Sequence, residues 1–134
     1  MKLLDASAIF NLFINGKFNV ILSSATIPLA KSEIGNVIWK NYKVRNRISK
    51  KEAKDAGMVL SDLIDSMEQI NQVPVSTLTI ELEKNLTLYD SSYLTSAMNA
   101  GYHLVTDDIG LEKTAGVLAH TEKSHEIYQS YPGA

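Results

Sequence analysis

Short strand-like runs alternate with segments of helical period along this chain of 134 residues, and that alternation restricts the fold more than any other feature. Parallel strands need long crossovers, usually helices, so the pattern predicts an α/β domain with a mainly parallel sheet of four to five short strands. Strand-like runs fall at residues 2–4, 69–73 (before Pro74), 103–106 and 117–119, while 18–22 reads equally as a strand or an irregular link. Ile9, Leu12 and Phe13 give a first helix, which Asp5 or Ser7 caps and Asn15-Gly16 closes. From Pro28, the spacing of Leu29, Ala30, Ile34, Val37 and Ile38 predicts a helix to about Tyr42. Ser49 opens a longer one, with Ala53, Ala56, Val59, Leu60, Leu63, Ile64 and Met67 on one stripe. Further helices are expected from Thr77 or Thr79 through Leu86, over Tyr89–Ala100 with Gly101 as the stop, and around Leu111–Ala115. The tail from about residue 121 is polar, and no linker or repeat divides the chain, so one domain spanning 1–134 is expected.

Cysteine is absent, which excludes a disulfide scaffold, a thiolate metal site and a cysteine nucleophile. No apolar run approaches the roughly 20 residues that cross a bilayer. The N-terminal stretch lacks the basic-then-apolar order of a secretory signal, and a soluble cytoplasmic protein without membrane contact is expected. The formal net charge of −2 conceals an uneven distribution: seven cations and one carboxylate between Lys40 and Lys54 leave −8 on the remainder. A local basic segment of this kind suits contact with a polyanion. Lys40, Lys43, Arg45, Arg47, Lys50 and Lys51 are therefore candidate contacts for such a polyanion.

Five carboxylates stand where a solvated charge would not normally be placed. Asp5 follows the first strand-like run, and Asp107 and Asp108 follow another, which puts them at the carboxyl edge of a parallel sheet, where such folds present ligand-binding groups. Glu33 has Leu29, Ala30 and Val37 at helical spacing, and Asp90 has Leu86, Tyr93 and Leu94, so both lie on or beside apolar stripes. Like charges converging there are costly without a cation, and hard oxygen ligands select Mg²⁺ or Mn²⁺. Each acid taken alone also reads as a helix cap or turn residue, Glu33 excepted. No Gly-rich phosphate loop, serine elbow or paired histidines offers a rival chemistry.

Leu4-Asp5-Ala6-Ser7-Ala8, Ser32-Glu33 through Trp39-Lys40, Tyr89-Asp90-Ser91-Ser92-Tyr93-Leu94 and Leu104-Val105-Thr106-Asp107-Asp108 together resemble the PIN-domain ribonucleases, most closely the VapC-like toxins of type II toxin–antitoxin pairs. The resemblance implies a three-layer α/β/α fold and a Mg²⁺- or Mn²⁺-dependent endoribonuclease whose metal-binding, catalytic acids are Asp5, Glu33, Asp90 and Asp108. Asp108 is chosen over Asp107 because the family pattern is Thr-x-Asp, which leaves Asp107 as an auxiliary acid or a surface charge. Ser7 and Thr106 match auxiliary hydroxyl positions that orient the cluster. Implied partners are an RNA substrate, a cognate antitoxin and a second copy of the chain, with a homodimer surface around Trp39, Tyr42 and Met58. Two other classes remain open: a catalytically silent PIN-like scaffold, and a receiver-type signalling domain, against which stands the lack of paired acids after the first strand.

Overall fold

In the computed structural model, residues 1–71, 74–116 and 118–127 are described. Five strands form one parallel sheet in the order β3-β2-β1-β4-β5: β1 (Lys2–Leu4), β2 (Ala25–Thr26), β3 (Glu68–Gln69), β4 (His103–Val105) and β5 (Thr121–Glu122). Helices α1 (Ala6–Ile14), α2 (Phe18–Leu22), α3 (Ala30–Trp39), α4 (Lys50–Ser66), α5 (Pro74–Lys84), α6 (Leu88–Ala100), α7 (Ile109–Ala115) and α8 (Ser124–Ile127) complete a three-layer α/β/α, PIN-like architecture. Leu3, Leu4, Ala25, Leu104 and Val105 have no exposed surface, as expected of short parallel strands covered on both faces.

Local chemistry explains most boundaries. Ser49 and Glu52 form a reciprocal capping box at the start of α4, and Ala56, Leu60 and Ile64 bury the predicted stripe. Asn15 and Gly16 (φ 71°) close α1, and Gly101 (φ 71°) closes α6. The helix from Pro28 runs on beyond Trp39 as one π-helical turn, Lys40–Val44.

Several expectations are corrected. Residues 18–22 are helical, with Val20 and Ile21 buried against the core and Phe18 and Leu22 exposed. Strand β2 was not anticipated; it lies between Ser24 and Ile27, with the Thr26 hydroxyl donating to the Leu4 carbonyl (2.8 Å). The run at 69–73 pairs only at Glu68–Gln69, its residues 72–73 lying outside the described ones. Helix α5 begins at Pro74, a residue suited to a first helical position. It ends at Lys84, before the left-handed Asn85 (φ 54°) and short of Leu86. The strand expected at 117–119 is displaced to Thr121–Glu122: the amides of Leu118 and Ala119 are taken by the Ala115 carbonyl in a turn, and Val117 is outside the described residues. The start of the polar tail is structured, with Ser124 and Ile127 of α8 buried; the rest of it, 128–134, falls outside the described residues.

Candidate metal centre

Strand β1 runs directly into the site. The Asp5 amide still donates to Val105 of the neighbouring strand (3.1 Å), while its carboxylate caps α1 by accepting from the Ala8 amide (2.9 Å) and the Ser7 hydroxyl (2.7 Å). Asp108 does the same at the end of β4, accepting from Leu111 N at the head of α7 (2.9 Å), and its own amide donates to Thr106 Oγ1 (3.0 Å). The cap and site readings of these two acids are therefore compatible. Asp90 does not cap its helix; Thr87 does, accepting from the Asp90 amide (3.2 Å). Its carboxylate lies half-buried within the first turn of α6, and Glu33 is likewise half-buried within the first turn of α3.

These elements converge on one cavity of about 220 Å³, lined by Asp5, Ser7, Asn11, Glu33, Asn36, Val37, Lys40, Asn41, Arg45, Asp90, Asp107 and Asp108. All four acids singled out from the sequence face it. No ion pair among the described residues reaches any of them. The electrostatic consequence is marked. Burial first, then the Asp107 charge, pushes the Asp5 carboxyl up to about 6, against the pull of the Thr106 hydroxyl, the Ala8 amide and Ser7. Glu33 is pushed up to about 7, again by burial first and then by Asp5 and Asp90, with Tyr93 and Lys40 pulling the other way. Asp90 is raised by burial and by Asp108. Tyr93 is nearly fully buried, and burial first, then the Glu33 and Asp5 charges beside it, hold its hydroxyl in the neutral form; that hydroxyl makes no hydrogen bond of good geometry. Asp5 is buried, Glu33 and Asp90 are half-buried and Asp108 is exposed. Hard oxygen donors of this kind suit a divalent cation and could hold one, although among the described residues it is His103, His120 and Glu122 that bring three ligand atoms within 4.8 Å of one another.

Asp107 has a separate occupation. Its carboxylate accepts from Asn11 Nδ2 (2.7 Å), the Ser124 amide (2.9 Å) and the Ser124 hydroxyl (2.6 Å), and its amide donates to Ser7 Oγ (3.2 Å). It ties α1 and α8 to the end of β4 at the cavity wall. Of the basic segment, only Lys40 and Arg45 line the cavity. Arg47 instead donates to Asn41 Oδ1 (3.0 Å), steadying the π-helical turn, and lines a second groove with Phe10, Phe13 and Ile48. Lys43, Lys50 and Lys51 do not line the cavity. Sequence reasoning missed Asn11, Asn36 and Asn41. For Asn36 the signal was present, since with Val37 and Lys40 it lies three, four and seven residues after Glu33, on one helical face.

An acidic cavity at the carboxyl edge of a five-stranded parallel sheet defines a PIN-like α/β protein. No protein-family model matches the chain. It is 31% identical, over 96 residues, to a curated protein of Pyrobaculum aerophilum named exonuclease VapC9, a match that covers 70% of this chain and 69% of that one. The crystal structure of PAE2754 from Pyrobaculum aerophilum superimposes with a TM-score of 0.78 at 25% identity, over 96% of this chain and 94% of the other. The chain belongs to the VapC-like family of PIN-fold proteins.

Proposed function

We propose that this protein is a metal-dependent ribonuclease that hydrolyses RNA phosphodiester bonds within the strand. The observation that carries the reading is the convergence of Asp5, Glu33, Asp90 and Asp108, drawn from four separate elements, on one cavity whose rim carries Lys40 and Arg45. When bound, Mg²⁺ or Mn²⁺ supplies a Lewis acid that eases deprotonation of the attacking water and offsets charge developing on the scissile phosphate. The chain's own residues do the rest. The four carboxylates would hold the ion; the Ser7 hydroxyl donates to the Asp5 carboxylate, and Thr106 Oγ1 accepts from the Asp108 amide and so steadies the backbone that carries that acid. The Glu33 carboxyl, raised to about 7 by burial and then by Asp5 and Asp90 in the metal-free chain, would give up its proton as the ion binds. Lys40 and Arg45 draw the phosphate backbone over the acids, whose charge would otherwise repel it.

The VapC9 relative carries the name of an exonuclease, which favours attack from a strand end as the second reading. A labelled circular RNA separates the two: cleavage of the circle in Mn²⁺, lost in Glu33→Gln, supports internal hydrolysis. Cleavage confined to linear RNA supports the second reading. A protein antitoxin, a homodimer and a cytoplasmic setting belong to the same proposal. Trp39 (53% exposed) and Met58 (73%) supply exposed apolar surface for self-association, while Tyr42 is half-buried. No helix of the described residues is long and apolar enough to cross a membrane.

A further inference from the structure

Across β1, β4 and β5 lies a second cluster that the ribonuclease reading does not use, and it corrects the expectation of unpaired histidines, since His103 and His120 stand together. Strands β1, β4 and β5 lie side by side in parallel register, with Lys2 opposite His103, and Leu104 opposite Thr121. Lys2, His103 and His120 therefore form a row across three strands, and such neighbours project from the same face. Glu122, two residues beyond His120 on the edge strand, shares that face. The imidazoles of His103 and His120 have ring centroids 4.0 Å apart, and His103 Nδ1 lies 3.2 Å from Glu122 Oε2. One potential ligand atom from each of His103, His120 and Glu122 lies within 4.8 Å of the others. The Lys2 ammonium contacts the Glu122 carboxylate and stands 3.2 Å from His103 Nδ1, so a positive charge already lies against two of the three.

We propose that His103, His120 and Glu122 form a binding site for a borderline transition-metal dication of the Zn²⁺ or Ni²⁺ class, with Lys2 as the displaceable cation that holds it closed. Two imidazoles and a carboxylate suit such ions, whereas the all-carboxylate cavity at the other edge selects harder ones, so one protein presents two sites of different chemistry. The ligands are within reach of one another but wider than a bonded shell. Modest rotation of the exposed histidines and withdrawal of the long, flexible Lys2 side chain close it. Occupation would tie the two-residue edge strand β5 to β4.

The test is a calorimetric titration of Zn²⁺ into the full chain in excess Mg²⁺, with His120→Gln and Lys2→Met alongside. The wild type is expected to bind one Zn²⁺ more than His120→Gln, and to gain thermal stability with Zn²⁺ that the variant does not. Lys2→Met keeps all three ligands and is expected to bind that ion roughly tenfold tighter, because a like charge has left its vicinity. Co²⁺ in place of Zn²⁺ should give the visible absorption of a low-coordinate nitrogen–oxygen site in wild type and not in His120→Gln. Mn²⁺-dependent RNA cleavage should be the same in wild type and His120→Gln. Equal Zn²⁺ stoichiometry in wild type and His120→Gln, or no tightening in Lys2→Met, overturns the proposal and leaves Lys2 as the permanent partner of Glu122.

Discussion

Replacing Asp5 with Asn should stabilise the metal-free protein at alkaline pH, although it removes a helix-capping carboxylate. The fully buried Asp5 carboxyl is raised from 3.8 to about 6, which at 1.36 kcal/mol per tenfold means that its ionised form costs the fold about 3 kcal/mol. The sign follows from linkage. A carboxyl whose pKa is higher folded than unfolded takes up protons on folding, so its cost is absent below about pH 4, grows between about 4 and 6, and is complete above. Asparagine never ionises. Its side-chain oxygen can still accept from Ala8 N and Ser7 Oγ, as the single oxygen Oδ1 of Asp5 does, though its amide puts N–H donors where Asp5 has an oxygen, at a cost of about 1 kcal/mol. The net gain at pH 8 is about 2 kcal/mol. At roughly 3 °C per kcal/mol for a chain of this size, Tm should rise by about 6 °C. Thermal unfolding by circular dichroism in chelator, at pH 4.5 and pH 8, gives the comparison, and the difference between the two proteins isolates Asp5 from other groups titrating in that window. Added Mn²⁺ should then reverse the order, stabilising the wild type far more than the variant. An Asp5→Asn protein less stable than wild type at pH 8 in chelator refutes the reasoning, because Asp5 would then be satisfied without a cation.

Other consequences are separable. Mn²⁺ affinity should strengthen as pH rises from about 5.5 to 8, since the raised carboxyls of Asp5 and Glu33 must release protons to the ion; calorimetry in buffers of different ionisation enthalpy reads that release directly. Lys40→Ala and Arg45→Ala should each weaken RNA binding and reduce its salt slope by roughly 0.7, whereas Lys50→Ala, outside the cavity, should change the slope less; fluorescence anisotropy across a salt series decides it. Asp107→Ala should cost about 1–3 kcal/mol in denaturant unfolding by stripping Asn11 and Ser124 of their acceptor, and should retain cleavage once folded, which an essential metal ligand would not. Ser49→Ala should cost about 1 kcal/mol through loss of the capping box on α4, measured in the same way.

What could be read from the chain alone tracks how local each signal is. The period of α4 and its Ser49 cap, the glycine stops of α1 and α6, and the acids that end β1 and β4 are all written within a few residues of where they act. Strand β2 left no trace because two residues cannot display an alternation. Phe18–Leu22 carries strand-favouring side chains yet is a helix, its conformation decided by burial of Val20 and Ile21 against the core. Strand β5 was misplaced because the turn amides of Leu118 and Ala119 belong to the Ala115 carbonyl, a pairing with no compositional mark. At the site, Glu33 stood out as a charge on an apolar stripe, and its helical neighbours Asn36 and Lys40 were within reach of the same reasoning. Asn11 and Asn41 were not, since nothing near them in sequence says which cavity they will line. The tie from Asp107 to Ser124 depends on a short helix packing against α1, a tertiary fact. Nor did the basic run announce its division into Lys40 and Arg45 at the cavity and Arg47 as a prop for the turn that carries them.

The most direct test of the metal-centre assignment is a Mn²⁺ titration of the purified chain, monitored by calorimetry and by cleavage of a labelled single-stranded RNA, with Asp90→Asn in parallel. Asp90 takes part in no helix cap through its side chain, so its substitution leaves the Thr87 cap of α6 in place. The account expects Mn²⁺ binding and Mn²⁺-dependent cleavage in the wild type, with binding weakened and cleavage lost in a variant that keeps the wild-type circular dichroism spectrum. Wild-type protein that binds no Mn²⁺, or a variant that cleaves as well as wild type, would contradict it.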